Sequence, residues 1–453
     1  MHTKIAASAT AVFIFLCVSC ISRTARQPVH EGPLIAQSIR FQFAVYYLPL
    51  PSRDPSTELT RVIREQRIPV LQTNTLPESP DRPLVHAVVI SNVKDTYAPP
   101  GMESLTHFGR GLSRSQAQAL QKCEQAFVMD FGHPKMNVLD GLKAACVIAE
   151  AIARRTGGVI WDEETREVFT PDAWHERRMA SWPERIPDVS AHTTIHAYKN
   201  NDYIRAITLG MSKFGLPDVI CEDFSWSMNR QMGTLINLLC QSFAEGAAAG
   251  TSGSFELDIK NITNRKVHTA QIASLKTNAA GRAKLMLRKG VREEGDPKNR
   301  LIEVGFDAYP GRDVHARQEK LLASFLGWED SVTPVKHNER LITASSNARA
   351  KLPSLRLAFT RGLQPGEYIQ VKAPFTTPDG GREWMWIEVT SWNGGGIKGL
   401  LRNEPMNIPS LHGGQMVSVR QEEVFDYIRH YPDGKEEGNT TGVIIQEMQE
   451  QNR

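Results

Sequence analysis

Long apolar runs, strong charge and recognisable catalytic motifs are all scarce in this chain of 453 residues. The longest apolar stretch, Ile5 to Leu16, is well short of the roughly 18 or more residues that a membrane-spanning helix needs. A formal net charge of +3 gives no field strong enough to steer a nucleic acid, and the Lys/Arg-rich stretch 260–300 interleaves Glu293, Glu294 and Asp296 and lacks the aromatics that would stack on bases. No G-x-S-x-G elbow is present, and Gly394-Gly395-Gly396 is followed by neither a Lys-Ser/Thr pair nor a helix, so it reads as a hairpin turn and not a phosphate loop. No cofactor is implied. The four cysteines beyond the N-terminus, Cys123, Cys146, Cys221 and Cys240, have neither redox nor zinc spacing. In an oxidising compartment Cys123–Cys146 and Cys221–Cys240 are possible disulfides; buried free thiols acting as small hydrophobes are the alternative.

What is present begins at the N-terminus. Lys4, the apolar run and Cys17-Val18-Ser19-Cys20 resemble a bacterial lipoprotein signal. That resemblance implies cleavage before Cys20, lipidation of its thiol, and an exported protein held at a membrane of the cell envelope. A secretory signal releasing a soluble periplasmic or secreted protein is the alternative. Residues 21–36, with Pro28, Gly32 and Pro33, read as a polar tether.

Apolar residues at 41% and charged residues at 23% are those of a folded body. Between 37 and 250 the periodicities alternate. Phe41, Phe43, Val45 and Tyr47 repeat at strand spacing and residues 84–93 form a fuller strand. Ser115 with Gln118 reads as a capping box opening a helix that carries Leu120, Cys123 and Phe127. Residues 137–155 make an amphipathic helix closed by Gly157, 158–169 a hairpin, and 227–245 a long helix. This is an α+β domain, or two packed halves. Residues 251–335 read only as a poorly legible linking region. From 336 to 433 short strands at 367–373, 383–390, 397–402 and 415–420 are separated by turns such as Asn393-Gly394, which predicts a small β-barrel or roll; 434–453 reads as a polar tail.

Within that last part, Tyr368-Ile369-Gln370-Val371-Lys372-Ala373-Pro374-Phe375, Glu383-Trp384-Met385-Trp386-Ile387-Glu388-Val389, Asn403-Glu404-Pro405 and Asp426-Tyr427 resemble the bacterial family known as domain of unknown function 2314. The resemblance implies a small module and says nothing of an activity.

Candidate site residues follow from spacing. Trp384, Trp386 and Glu388 share one face of their strand, an aromatic platform for a peptide or sugar unless that face packs against the preceding domain. Glu404 in Asn403-Glu404-Pro405 is a candidate carboxylate, and a tight strand exit explains the same tripeptide. His133, between Gly132 and Pro134 with Asp130 and Asp140 near in sequence, is the basis of an alternative hydrolase reading. His192 and His196 are spaced to share a strand face but have no further metal ligand at matching spacing. The composite expectation is a lipid-anchored, non-enzymatic envelope protein whose C-terminal module binds a protein, peptide or glycan and no nucleic acid, with a structural or immunity-like role as a further alternative.

Overall fold

The computed structural model describes residues 26–48, 50–180, 182, 185–327 and 339–451. The expected signal and Cys20 lie outside the described residues. The fold is α+β and is organised by three large sheets.

The first sheet has seven strands in the order 71–72, 84–91, 125–134, 38–47, 158–162, 167–169, 109–110. Ser38–Tyr47 is central because both of its faces are apolar. Phe41, Phe43 and Val45 point toward the helix Val138–Thr156, while Ala44 and Tyr46 point into a smaller cluster on the other face. That helix buries Leu142, Cys146, Ala149 and Ala153 on one stripe and stops at Gly157, whose φ of 81° supplies the left-handed cap. The second sheet has the order 254–258, 282–289, 301–305, 218–224, 203–209, 194–200. With the helices Asn229–Ala244 and Val314–Leu326 it shares one continuous core with the first sheet.

Where the two halves meet, four charges are fully buried. Arg178 bonds Asp162 and Glu167 at 2.9 Å each, and Lys213 lies 2.5 Å from Asp162. Burial alone would raise Asp162, but Lys213 and Arg178 outweigh it and hold the carboxyl below its ordinary range. The charges are balanced, so removing one partner strands another in a dry core.

Several expectations are corrected here. Residues 26–36 are no loose tether: Val29 N donates to Leu287 O at 3.0 Å, and Gly32-Pro33 pairs with Ala248-Ala249. The described part of 251–335 completes the second sheet and is not a link. The capping box lies at Ser113 and Gln116, its helix ends at Leu120, and Phe127 belongs to a central strand, where extended pairing on both sides overrides helical spacing. All four cysteines are buried free thiols. Cys123 and Cys146 lie in clusters on opposite faces of the first sheet, so its backbone separates them. Cys221 and Cys240 share the main core as free thiols, and burial raises both.

The third sheet, order 416–420, 396–401, 382–393, 368–376, 426–430, 436–438, is open and not a closed barrel. Closure is unnecessary because the helix Glu339–Arg361 covers its apolar face, setting Ala348, Leu352 and Leu355 against Ile369, Val371, Met385 and Ile387. The supposed tail forms a helix, Thr440–Gln451, whose Ile444 packs with Leu341, Ala344 and Phe425.

Candidate binding cleft

Strand alternation puts Trp384, Trp386 and Glu388 on the face of the third sheet turned away from the Met385/Ile387 core, as expected. The structure then gives the three residues separate tasks. Trp384 is drawn into the small core beneath the two C-terminal helices, its ring 4.5 Å from that of Phe425, and forms no platform. Glu388, 3% exposed, faces the entry of the Asn229–Ala244 helix and accepts the backbone N–H groups of Trp226 at 2.8 Å and Ser227 at 3.1 Å. A carboxylate at this end satisfies orphan donors and meets the positive end of the helix dipole. It therefore fastens the C-terminal module to the body.

A second fastening lies beside it. Arg402, at the exit of the strand Gly396–Leu401, donates from one guanidinium nitrogen toward Ser225 Oγ at 3.2 Å and His315 Nε2 at 3.1 Å, and lies 3.5 Å from Glu319. Arg402 can only donate, which makes His315 Nε2 the acceptor and assigns the ring proton to Nδ1, a buried atom without a hydrogen-bond partner that lies 3.9 Å from Glu319. Burial, with Arg402 and His412 adding to it, holds His315 well below its ordinary range, so the imidazole is neutral. Gly414, at φ 77°, approaches this ring so closely that any Cβ would overlap it. Lys199 Nζ adds a third tie, to Thr390 O at 2.7 Å.

Between the two units runs a cleft of about 660 Å³. One wall is the polar face of the third sheet, with Trp386, Tyr368, Gln370 and His430; the other is the 3-10 turn Trp226–Met228 with Trp226, running into the first turn of the Asn229–Ala244 helix with Asn229, Arg230 and Gln231. Tyr368 and His430 are cross-strand partners whose rings stack at 4.2 Å, and Lys372 lies 5.5 Å from the Trp386 ring centre. Burial pushes the Tyr368 phenol up, and it pulls the Lys372 ammonium down against the opposing effect of Asp426. Glu436 at 3.0 Å partners His430. Among the described residues, the ring N–H of Trp226 and of Trp386, the Tyr368 hydroxyl, and the side chains of Asn229 and Arg230 have no intramolecular hydrogen-bond partner, and the carbonyl of Gln231 is buried without one.

The remaining candidates lie outside the lining of this cleft. Asn403 Oδ1 accepts the Trp386 backbone N–H at 2.7 Å and Glu404 accepts that of Gly413 at 2.9 Å, both closing the turn after their strand. His133 is no solvent-facing turn residue: it ends a strand, 1% exposed, packed under Gly141 and against Phe41, and burial lowers it to about 4. Asp130 is committed to Gln42 at 2.7 Å and Asp140 is exposed, so no acid–base cluster assembles around that ring. His192 caps a short 3-10 turn before the strand that holds His196, and its ring is set between Trp182 and Phe214. No group of three or more His, Cys, Asp or Glu among the described residues is placed to hold a metal, and no helix among them is long and apolar enough to cross a membrane.

Sequence reasoning missed the helix wall of the cleft, Trp226 to Gln231. One signal was available for the sheet wall: Tyr368, Gln370 and Lys372 alternate on the strand next to Trp386 and Glu388, giving a polar-aromatic face two strands wide.

Residues 338–453, about a quarter of the chain, match the family described as an uncharacterized protein conserved in bacteria (DUF2314). This agrees with the resemblance noted in the sequence. No curated protein and no solved structure matches the chain.

Proposed function

We propose that this is a non-enzymatic binding protein of the bacterial cell envelope, lipid-anchored through Cys20, whose ligand, a peptide or a glycan, lies in the cleft between body and C-terminal module. The observation that carries this reading is the set of hydrogen-bonding groups on facing walls that the fold leaves without partners. The Gln231 carbonyl is buried without a partner, where such groups are nearly always paired, and the others open on the same concavity, so together they keep their capacity for something that enters it. Trp226, Tyr368 and Trp386 add flat contact area with polar rims, suited to a ligand that is apolar on one side and wet on the other.

The test is capture of immobilised glycans and peptides by the purified full chain. Trp386→Ala is expected to abolish capture while moving the melting temperature by less than about 4 °C, since the ring is only half-buried at the cleft wall. Capture that survives the substitution refutes the site. The anchor is tested separately: Cys20→Ala is expected to shift the protein from the membrane fraction to the soluble one, and unchanged membrane retention refutes lipidation.

A further inference from the structure

We infer that the ligand of this cleft is a carboxylate-bearing glycan, with Arg230 as the residue that recognises its charge; this deepens the binding reading above and rests on it. Every other cation lining the cleft is already met: Arg402 by Glu319 and Lys435 by Asp433 at 2.6 Å, while the carboxylate of the lining, Glu436, sits exposed at the rim, 3.0 Å from His430. Arg230 stands exposed near the start of the helix, and no carboxylate among the described residues pairs with it. The helix end itself offers nothing to an anion because Glu388 already occupies it. A ligand that completes the site therefore brings one negative group to the guanidinium, whose planar fork suits a carboxylate.

The rest of the cleft selects a saccharide over a peptide. A peptide adding to the sheet needs a free strand edge of useful length; the three strands of the sheet wall, Tyr368–Thr376, Arg382–Asn393 and Asp426–His430, are hydrogen-bonded on both sides, and the edge strand beside them, Glu436–Gly438, is three residues long and carries the Glu436 and Glu437 carboxylates. A peptide read by its side chains needs apolar sockets, and besides Pro365 and Pro432 the only aliphatic residue lining the cleft is Ile428. Sugar rings present C–H faces to aromatic rings and hydroxyls to amides. Trp226, Tyr368 and Trp386 supply the former; Asn229, Gln231 and Gln370 supply the latter.

The experiment measures binding of the full chain in detergent to oligogalacturonate, hyaluronan oligosaccharides and peptidoglycan glycan strands, each beside its carboxyl-reduced counterpart, with a peptide library in parallel. At least one acidic glycan is expected to bind, and carboxyl reduction to weaken it by about tenfold or more, the scale of one charge-assisted hydrogen bond. Arg230→Gln is expected to weaken the acidic form to the same degree, leave the reduced form unchanged and keep the wild-type melting temperature. Equal binding of both forms, indifference to Arg230→Gln, or retention of no acidic glycan overturns the inference. A peptide or neutral glycan that binds and is lost with Trp386→Ala overturns it while leaving the binding cleft standing. A ligand whose binding ignores Trp386→Ala removes the cleft as well.

Discussion

Replacing Glu388 tests whether the body and the C-terminal module act as one binding unit. The carboxylate is almost fully buried and accepts two backbone N–H groups from the turn that opens the Asn229–Ala244 helix. Hydrogen bonds to a charged group contribute about 1.5–3 kcal/mol, and a carboxylate at a helix N-terminus adds about 0.3–1 kcal/mol. Glu388→Ala also leaves the Trp226 and Ser227 N–H groups without their acceptor in the seam. The expected loss is about 3 kcal/mol for Glu388→Ala. Glu388→Gln keeps one acceptor and forfeits the charge, so about 1 kcal/mol is expected. Urea unfolding of the full chain measures both. Ligand capture supplies the second readout, because the cleft walls come from different units and affinity falls with the fraction of molecules in which they are docked. Arg402→Met, which frees Ser225 and His315 at the neighbouring fastening, should combine non-additively with Glu388→Ala once either has released the module. A loss below about 1 kcal/mol with capture intact would refute the idea that this carboxylate holds the seam.

Three further outcomes follow from the packing. Trp384→Ala, unlike Trp386→Ala, should cost about 3 kcal/mol in a urea melt, because its ring fills the core against Phe425 beneath two helices; a neutral result would return Trp384 to the cleft. His133 is lowered to about 4 by burial, below its unfolded value of about 6.5, so the unfolded chain takes up the proton first. Its contribution is therefore complete above pH 6.5 and is lost as pH falls toward 4, by about 3 kcal/mol in all, and the stability difference between wild type and His133→Phe should change over that window; a difference independent of pH would refute the assignment. Cys123, Cys146, Cys221 and Cys240 should be alkylated only after denaturation and without prior reduction, as mass spectrometry of the labelled peptides will report; a Cys123–Cys146 cross-link would contradict the sheet that stands between them.

The sequence was most legible where one local signal acted alone. The helix 138–156 shows its stripe and its Gly157 cap in consecutive residues, and the hairpin 158–169 and the C-terminal strands are punctuated by their own turns. Legibility failed where tertiary pairing chose between compatible periods. Leu120, Cys123 and Phe127 fit a helix, but Phe127 belongs to a ten-residue strand with a neighbour on either side. The strand 282–289 was hidden by Arg282, Lys284, Arg288 and Lys289, although Ala283, Leu285 and Leu287 alternate beneath them as strand residues must.

The cleft was half legible for a physical reason. Strand alternation fixes which residues share a face, and so it grouped Trp384, Trp386 and Glu388 correctly; it says nothing of what that face meets. A strand twelve residues long crosses more than one neighbour. Trp384 falls under the C-terminal helices, Glu388 falls on the Asn229–Ala244 helix entry, and only Trp386 between them borders open space. Trp226 and Glu388 are separated by 162 positions. No local period spans such a distance, and the loop closure that brings them together is stabilised by burial spread over the whole interface. The consequence is a division of labour along one face: an aromatic that stabilises the module, an aromatic free to meet a ligand, and a carboxylate that joins the two walls. Substituting the three residues together would therefore read as loss of binding and conceal three causes, whereas single substitutions separate module stability, ligand contact and docking.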